Sequence, residues 1–318
     1  MSIIVFGSIN IDLVAQTPRL PLPGETLMGN NFFSAPGGKG ANQAVAASRL
    51  GVNTYLMGRV GNDNFGQELL ANLAQNNVNT DGVFVDQNTH SGVATIAVET
   101  SGQNHIIVIP GANGNIDVSD VERVKDLLPR ANLLLLQLEI PLSRVIDSAK
   151  FAQKLGVKVI LDPAPVIDHL PADFYPLIDI ITPNEIEASQ LVGCAVHDEE
   201  TATYAALELC RRGVKIALVK LGDRGVIYAR ENESFFLPAF RVHTVDTVAC
   251  GDAFNGGLAA ALDQGLSLKE AMIWGAVAGA LCATKSGAQS AMPDRVSFDH
   301  FLKEEGRRKK EEGIGKKE

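Results

Sequence analysis

Residues 133–139 read LLLLQLE, a short apolar run that ends in polar side chains. Such a run is typical of a strand buried on both faces of a parallel sheet. Comparable runs recur along the chain, and longer segments with helical spacing separate them. They are IIVFGSI (3–9), VKVILD (157–162), IDIIT (178–182) and KIALVKL (215–221). Strands that alternate with helices predict an α/β fold, with a mostly parallel sheet and helices on both of its faces.

The segments between these runs carry helix signals. ANQAVAASRLG (41–51) and TATYAALELCRRG (201–213) each end in a glycine. Gly51 and Gly213 suit the left-handed position that follows the last turn of many helices.

Two regions break the alternation of strands and helices. Residues 12–36 and 91–110 show short apolar–polar alternation with turns, and the second region predicts a hairpin through TSGQ (100–103). We expect the two regions to form a small β-sheet lid that stands off the main domain. The alternative is an extension at the edge of the main sheet.

The composition excludes several classes of protein. The 318 residues are 46% hydrophobic, and 37 acidic against 28 basic residues give a net charge of −9, the opposite of the basic footprint of nucleic-acid binders. The longest apolar stretch is shorter than the roughly 18 residues of a membrane helix. The four cysteines are widely spaced, which favours reduced thiols and a cytoplasmic protein.

Polar side chains follow the predicted strands at the point where each strand ends. Asn10 and Asp12 come after the first run, Glu139 after LLLLQL, and Asp162 after VKVIL. Ligands of open parallel sheets bind outside the carboxyl ends of the strands. We therefore expect these side chains to form a site.

The segment APGGKGANQ (35–43) contains glycines that would let a backbone approach a ligand, but its spacing is not that of a Walker A loop. A helix that starts near Gly40 would place Lys39 and Asn42 one turn apart on one face. The alternative is a glycine-rich turn that enters a buried, alanine-rich helix.

The segment TPNEIEASQLVG (182–193) predicts a helix whose capping box is formed by Thr182 and Glu185, with Pro183 at the first position. That assignment leaves Asn184 and Glu187 either on a solvated face or in a site. LGDRG (221–225) predicts a tight turn.

The stretch TVDTVACGDAFNGG (244–257) leads through small residues into a predicted helix that begins near Asp252. The N–H groups at that helix start lack intrahelical partners and would bind an anion. Asp252 alone could equally be an N-cap. The small residues before it would admit a ligand, and a second acid, Asp246, lies upstream.

Five segments together resemble the ribokinase-like (PfkB) carbohydrate kinases over about residues 3–300. They are GSINID (7–12), GGKGANQAVAASRLG (37–51), TPNEIEA (182–188), KLGDRG (220–225) and DTVACGDAFNGGL (246–258). The resemblance implies a Rossmann-like domain over residues 1–302 with the lid described above, and a homodimer that forms through the lid. It also implies transfer of the γ-phosphoryl group of ATP to a sugar, here expected to be the 5-hydroxyl of D-ribose, with no nucleic-acid or membrane partner.

The resemblance further implies roles for individual residues. The sugar would be bound by Asn10, Asp12, Gly38, Lys39, Asn42, Glu139 and Asp252, and Asp252 would be the catalytic base. An anion hole would be formed by Ala249, Cys250 and Gly251. ATP would contact Asn184, Lys220, Leu221, Gly222, Asp223, Arg224, Gly225, Gly251 and Asp252. Glu187 would organise Mg²⁺ through waters, and K⁺ would be bound by Asp246 and the carbonyls of Val248, Cys282, Lys285 and Gly287.

Some positions depart from the family pattern. Ala291 stands where many members offer a serine hydroxyl to the cation, which weakens the expected K⁺ site. Cys250 replaces the usual alanine or glycine, and we expect it to be tolerated because the loop acts through backbone N–H groups.

Alternatives to ribose phosphorylation are a fructokinase, a nucleoside kinase or another sugar kinase of the family, and a non-catalytic sugar-binding regulator. The charged residues 303–318 are expected to be an unordered tail.

Overall fold

The computed structural model describes residues 2–167 and 169–314, which form a large sheet of mixed strands with helices on both faces and a separate small sheet. The strands are β1 (Ser2–Phe6), β2 (Asn10–Thr17), β3 (Asn31–Gly37), β4 (Thr54–Gly61), β5 (Asn79–Asp86), β6 (Gly92–Glu99), β7 (Asn104–Ile109), β8 (Ala131–Leu136), β9 (Lys158–Leu161), β10 (Ile180–Ile181), β11 (Ile216–Lys220), β12 (Gly225–Arg230) and β13 (Glu233–Pro238). The α-helices are α1 (Lys39–Arg49), α2 (Asn64–Gln75), α3 (Val118–Leu127), α4 (Leu142–Leu155), α5 (Glu185–Val192), α6 (Glu199–Arg211), α7 (Cys250–Asp263), α8 (Leu268–Ala283) and α9 (Arg295–Ile314).

The large sheet has the strand order β13-β12-β11-β10-β9-β8-β1-β4-β5. The strands from β11 to β5 run parallel, and β12 and β13 extend this sheet as antiparallel edge strands. The five apolar runs of the sequence are β1 and β8 to β11, which lie side by side. The prediction of an α/β fold with a mostly parallel sheet is therefore confirmed.

Successive side chains of β1 point to opposite faces of the sheet, and each face has its own cluster of buried apolar residues. Ile3 and Val5 pack into a cluster with residues of α1, α7 and α8, whereas Ile4 and Phe6 pack into a cluster with residues of α3, α4 and α6. All four side chains are fully buried. Helices therefore cover both faces, as the continuous apolar runs predicted.

The small sheet has the order β3-β2-β6-β7 and no strand in common with the large sheet, which excludes the edge extension. β2 pairs with β6 in parallel, and the outer pairs are antiparallel. The hairpin through residues 100–103 is confirmed, because Val98 pairs with Asn104 across it. The sheet begins at Asn10, two residues before the expected lid boundary.

The predicted helix ends are also confirmed. Gly51 follows α1 with φ 88°, and Gly213 follows α6 with φ 118°, both in the region that glycine enters at little cost. Among residues 2–167 and 169–314, none of the helices combines the length and the apolar composition of a transmembrane span.

The C-terminal region differs from the expectation, because residues 303–314, expected to be unordered, belong to helix α9. The helix continues to Ile314, in keeping with the high helix propensity of Glu, Lys and Arg, and its first turns are anchored by the buried Phe298. Residues 315–318, the end of the expected tail, lie outside the described residues.

Candidate active site

The carboxyl ends of the parallel strands and the start of α7 meet at one edge of the large sheet. Glu139 lies beyond β8, Asp162 follows β9, and Lys220 ends β11. Lys220 Nζ lies 3.1 Å from Asp162 Oδ1 in an ion pair that is largely shielded from solvent. The expectation that these polar groups come together is met.

Asp252 lies in the first turn of α7 and is not its N-cap. The helix begins at Cys250, and the residue before it, Ala249, adopts the left-handed conformation with φ 58°. The expected helix start near Asp252 is thus two residues late, because Ala249 turns the chain earlier. The carboxylate of Asp252 instead faces α1, where Asn42 Nδ2 donates to its Oδ2 at 2.9 Å and Gln43 Nε2 to its Oδ1 at 3.0 Å.

The start of α7 exposes backbone donors. Cys250 N–H donates to Thr247 O at 3.3 Å and Ala253 N–H to Ala249 O at 2.9 Å. Among the described residues, the N–H groups of Gly251 and Asp252 have no acceptor. Donors of this kind, together with the helix dipole, stabilise an anion.

Lys220 adds a positive charge beside these donors. A Cβ placed on Gly251 would lie 3.3 Å from Lys220 Nζ, so glycine leaves room for the ammonium at the helix start. An anion bound there would meet both the N–H groups and the ammonium.

Burial raises the pKa of Asp252, and the Lys39 ammonium opposes that rise. The nearby Asp162 carboxylate raises the same pKa further, whereas the amides of Asn42 and Gln43 lower it. A carboxyl group whose pKa is moved toward neutrality suits proton transfer near pH 7.

Lys39 is itself partly buried. Burial lowers the pKa of its ammonium, but the surrounding carboxylates raise it more, so that the net shift is upward and the group stays charged. The carboxylates are those of Asp252, Asp162, Glu139 and Glu187.

A second set of polar groups lies where β2 leaves the body of the protein. Asn10 Oδ1 accepts a hydrogen bond from Asn113 Nδ2 at 2.8 Å. Glu139 Oε2 accepts from Ser8 Oγ at 2.5 Å and from the N–H of Lys39 at 3.2 Å.

Asp12 belongs to the same set. Burial, together with the charges of Glu139 and Asp252, raises its pKa to about 7. The concentration of carboxylates at this end is suited to binding a ligand rich in hydroxyl groups.

Gly38 brings the backbone close to this set. Its φ is 86°, and a Cβ there would lie 2.7 Å from Asn10 N and 2.9 Å from Ser8 O. Helix α1 begins at the next residue, so the predicted start near Gly40 is confirmed.

A cavity of about 890 Å³ extends from Lys39 and Asp252 along the start of α7. Most residues expected to contact ATP line it, namely Asn184, Lys220, Gly222, Asp223, Gly225 and Gly251. Two others do not line it. Leu221 is buried, and Arg224 turns away to pair with Glu185 and to donate to His197 O at 2.6 Å.

Apart from Ala276, which stands where some members of the resembling family place a histidine beside the adenine, the far end of the cavity was missed in the sequence. It is lined by Phe240, Arg241, Val242, Ala276, Ala280 and Ala283. These residues come from α8 and from the segment after β13, and their types carry no motif that marks a site.

The capping box predicted for α5 is wrong. Asn184, not Thr182, is the N-cap, and its partner is Glu187, whose N–H donates to Asn184 Oδ1 at 2.8 Å. The reason is that residues 183–184 still pair with β11, since Lys220 N–H donates to Pro183 O at 2.8 Å. Burial and the Asp162 carboxylate raise the pKa of Glu187, and Lys220 lowers it.

The segments expected to bind a monovalent cation are brought together around Asp246. Its carboxylate accepts the N–H groups of Val248 and Gly287, each at 3.0 Å. Cys282 Sγ lies 3.7 Å from Val248 O, and Lys285 N–H donates to Cys282 O at 3.1 Å. Within the described part of the chain, no three His, Cys, Asp or Glu side chains cluster in the manner of a metal site.

Three buried amides near Asp252 were also missed. Gln43 bonds Asp252 directly, Gln137 bonds Gln43, and Gln289 Nε2 donates to Asn42 Oδ1 at 3.1 Å. Of the three, only Gln43 lies in a segment, GANQ, whose sequence indicates a possible ligand site. The other two lie in ordinary apolar or small-residue surroundings.

A family model described as pfkB family carbohydrate kinase matches residues 1–295. The chain is 41% identical over 298 residues to the ribokinase of Haemophilus influenzae, covering 94% of this chain and 97% of that protein. It is 35% identical over 302 residues to the deoxyribokinase of Salmonella typhi, covering 95% and 99%. The solved structure of Arabidopsis thaliana ribokinase complexed with ribose and ATP has a TM-score of 0.87 and 36% identity, over 95% of this chain and 98% of that one.

Proposed function

The chain belongs to the pfkB family of carbohydrate kinases, and we propose that it transfers the γ-phosphoryl group of ATP to the 5-hydroxyl of D-ribose. Similarity to ribokinases over nearly the whole chain supports this substrate. The observation that carries the reaction is the start of α7. There a buried carboxylate, Asp252, adjoins N–H groups of Gly251 and Asp252 that have no acceptor among the described residues.

In this reaction Asp252 accepts the proton of the 5-hydroxyl as its oxygen bonds to the γ-phosphorus. The bond from that phosphorus to the β–γ bridging oxygen breaks, and ADP leaves with the electron pair. A general base of this kind contributes roughly 10²–10⁴-fold to the rate. The raised pKa of Asp252 suits this role.

The free N–H groups at the start of α7 and the ammonium of Lys220 would stabilise the charge on the transferring phosphoryl group. Phosphoryl transfer depends mainly on such positioning and electrostatics, because its transition state is loose. The Cys250 N–H, expected to belong to this anion hole, is already bonded to Thr247 O, so the donors here are the N–H groups of Gly251 and Asp252.

The sugar would lie between β2 and α1. Asn10 offers its amino group, because its oxygen is already bonded to Asn113. Asn42 and Lys39 donate from α1, and the carboxylates of Asp12 and Glu139 accept from sugar hydroxyls. Gly38 lets the sugar approach the backbone. A polyol needs this mixture of donors and acceptors.

ATP would occupy the cavity of about 890 Å³. Its phosphates would reach Asn184, Lys220 and the start of α7, and its base would lie toward Phe240 and Ala276. The backbone of residues 220–225 would border the nucleotide, with Leu221 and Arg224 contributing only main-chain atoms.

Mg²⁺ fits the carboxylates beside this cavity. Burial and, after it, the Asp162 carboxylate raise the pKa of Glu187, and a divalent cation near the two acids would relieve the repulsion between them. Carboxylate oxygens and waters are the ligands that Mg²⁺ prefers. When bound, Mg²⁺ offsets charge on the phosphate oxygens, and Glu187 would hold it through waters.

The loop around Asp246 offers the kind of ligand that K⁺ binds, because the carboxylate and the neighbouring carbonyls supply oxygen atoms. The carbonyls are those of Val248, Cys282, Lys285 and Gly287. Ala291 is buried and its side chain offers no oxygen, so the set has one side-chain donor fewer than a serine there would give. A bound cation would stabilise the loop that leads into the anion hole.

The test is release of ADP over a panel of ribose, 2-deoxyribose, fructose, 2-keto-3-deoxygluconate and adenosine, each with matched ATP and Mg²⁺. We expect ribose to give the highest kcat/KM, and nuclear magnetic resonance of the product to show phosphate on the 5-position. 2-Deoxyribose is the second candidate, because a deoxyribokinase is 35% identical to the chain. A higher kcat/KM for any sugar other than ribose overturns the proposed substrate.

We also propose that the chain forms a homodimer through the lid and acts in the cytoplasm, where ATP is abundant. The lid exposes apolar side chains on its edge strands, among them Phe32 at 64% and Ile107 at 65%. Exposed apolar edge strands favour pairing with another chain. Sedimentation of the unchanged protein and of Ile107→Lys tests the dimer, and cell fractionation tests the location.

A further inference from the structure

Gln43 lies between two carboxylates and is not accounted for by the roles proposed above. Its Nε2 donates to Asp162 Oδ2 at 2.9 Å and to Asp252 Oδ1 at 3.0 Å. The side chain is 1% exposed, so both bonds are shielded from water. One amino group therefore connects Asp252, the proposed base, to Asp162, which lines the cavity.

The orientation of the Gln43 amide is fixed by a second glutamine. Gln137 Nε2 donates to Gln43 Oε1 at 2.8 Å. If the Gln43 amide were reversed, its oxygen would face two carboxylates and its amino group would face another amino group. Only the observed orientation satisfies all of these contacts.

Gln137 retains an unsatisfied atom in this arrangement. Its Oε1 is buried with no hydrogen-bond partner among the described residues. A Cβ on Gly7 would lie 1.9 Å from that oxygen, so glycine at this position leaves room for it. An unpaired buried acceptor destabilises the fold, because the oxygen gives up its hydrogen bonds to water without a replacement. Stability alone does not favour a glutamine at this position, which points to a role for its amino group.

The two glutamines lie on a chain of contacts that crosses the site. Asp162 bonds Gln43 through Oδ2 and Lys220 through Oδ1, and Lys220 Nζ lies beside Gly251. Asp252 is thus held by the Gln43 amide and Lys220 by the Asp162 carboxylate, and a hydrogen bond joins that amide to that carboxylate.

We propose that Gln43, oriented by Gln137, is a positioning residue that keeps Asp252 ionised and aligned for proton transfer. This rests on the proposed function in taking Asp252 as the base. Gln43 occupies Oδ1 and Asn42 occupies Oδ2, which prevents the carboxylate from rotating and leaves a lone pair for the sugar hydroxyl. Hydrogen bonds to a carboxylate favour its charged form.

Other charged or titratable groups also act on Asp252 or are acted on by it. They are Lys39 on α1, Asp162 after β9, Asp12 on β2, Cys250 on α7 and Cys282 on α8. Replacing Gln43 leaves every one of these side chains in the protein. Loss of the amide donor therefore raises the pKa of Asp252 while its charged neighbours are unchanged.

The test uses Gln43→Met, which keeps the length of the side chain but removes its donors, and Gln137→Met, which keeps Gln43 but removes its anchor. For Gln43→Met we expect kcat to fall about 10- to 100-fold, KM for the sugar to change less than about threefold, and the acidic limb of the kcat–pH profile to move to higher pH. For Gln137→Met we expect smaller effects in the same direction. The double variant is expected to be no worse than Gln43→Met, because the residues act as one unit.

An acidic limb that does not move, a rise in KM alone, or losses that multiply in the double variant would each overturn the inference. Melting temperature and ADP binding check that the variants fold. If Gln43→Met does not fold, Gln137→Met, in which Gln43 is intact, carries the test.

A measurement made without the sugar distinguishes a failure of this inference from a failure of the proposed function. Titration of ¹³C-labelled aspartate carboxyls should show the pKa of Asp252 higher in Gln43→Met than in the unchanged protein. An unaltered pKa overturns the inference and leaves the kinase proposal standing. Failure of the unchanged protein to phosphorylate ribose overturns the proposed substrate alone, and the variants are then compared with the sugar it prefers.

Discussion

Asn42 Nδ2 lies 2.9 Å from Asp252 Oδ2, although 210 positions separate the two residues. The contact depends on how closely α1 and α7 pack. A Cβ on Gly256 would lie 2.4 Å from Ala46 Cβ and 2.9 Å from Ala47 N, so only glycine permits this spacing. The distance between the Asn42 amide and the Asp252 carboxylate is therefore set by glycine and alanine residues one turn farther along each helix.

Asp252→Asn should lower kcat by about 10²- to 10⁴-fold, because the amide cannot accept the hydroxyl proton. The sugar should still bind through its other contacts, although one of the two donors, Asn42 or Gln43, then faces an amino group in place of an oxygen. Steady-state kinetics and calorimetric titration with ribose measure the two effects. Turnover close to that of the unchanged protein would exclude Asp252 as the base.

Asp12→Asn should stabilise the protein at pH 8 and have little effect near pH 4. The pKa of Asp12 is raised from 3.8 to about 7 in the fold, so its contribution to stability falls as pH rises from about 4 to about 7. At about 1.4 kcal/mol per pKa unit, the gain at pH 8 has an upper limit of about 4 kcal/mol. Chemical denaturation at both pH values measures it, and an equal change at the two would contradict the assignment.

Gly38→Ala should raise KM for the sugar and destabilise the fold, whereas Gly51→Ala should cost only about 1 kcal/mol. Both glycines have φ near 87°, at 86° and 88°. A Cβ on Gly38 would meet Asn10 N and Ser8 O within 3 Å, but a Cβ on Gly51 would meet nothing within 4 Å. Gly51→Ala is thus a matched control for backbone strain. If Gly38→Ala and Gly51→Ala lost the same unfolding free energy and raised KM equally, the close backbone approach at Gly38 would be unimportant.

Cys250→Ala should keep turnover near that of the unchanged protein, because the loop binds through its backbone. Its thiol makes only a weak contact with Asp246 O at 3.9 Å and a hydrogen bond with the Cys282 thiol that lowers the Cys250 pKa. The unchanged enzyme should be inactivated by iodoacetamide, with ATP protecting it, since Cys250 lines the cavity. Cys250→Ala should resist the reagent. A large loss of turnover in this variant would point to a role for the thiol.

Activity should rise when K⁺ replaces choline at constant ionic strength, because a cation at Asp246 would stabilise the loop before α7. Ala291→Ser adds an oxygen close to that loop and should lower the K⁺ concentration needed for half-maximal activity. Equal activity with and without K⁺ in both proteins would rule out the cation site.

The alternation of strands and helices could be predicted from the sequence because buried parallel strands are continuous apolar runs, and Ile3 to Phe6 show why. Neighbours along β1 pack into opposite faces of the sheet, so every position must be apolar. Helix starts were harder to predict. The start of α7 depends on the left-handed backbone of Ala249, and the start of α5 depends on the pairing of Asn184 with β11. Neither the left-handed conformation nor the pairing has a local sequence signal.

The sequence predicted most of the residues around the site and fewer of the contacts among them. Asp252 and Lys39 belong to motifs whose glycines mark a close backbone approach. Gln137 and Gln289 do not, because their roles come from tertiary packing over 94 and 247 positions. The apolar end of the cavity has no signal for the same reason, since alanines on α8 serve the core and the cavity equally.

The parallel pairing of β2 with β6 has a consequence for the order of folding. Asn10 lies opposite Gly92, so the two central strands of the small sheet meet only after more than 80 residues of chain, including α1, β4, α2 and β5, are in place. Contacts this distant along the chain form slowly, because a long loop must close before they contribute. We therefore expect the pairing of β2 with β6 to form after the two hairpins on either side of it, β2–β3 and β6–β7, and the exposed apolar strands of the lid to need protection from aggregation until then.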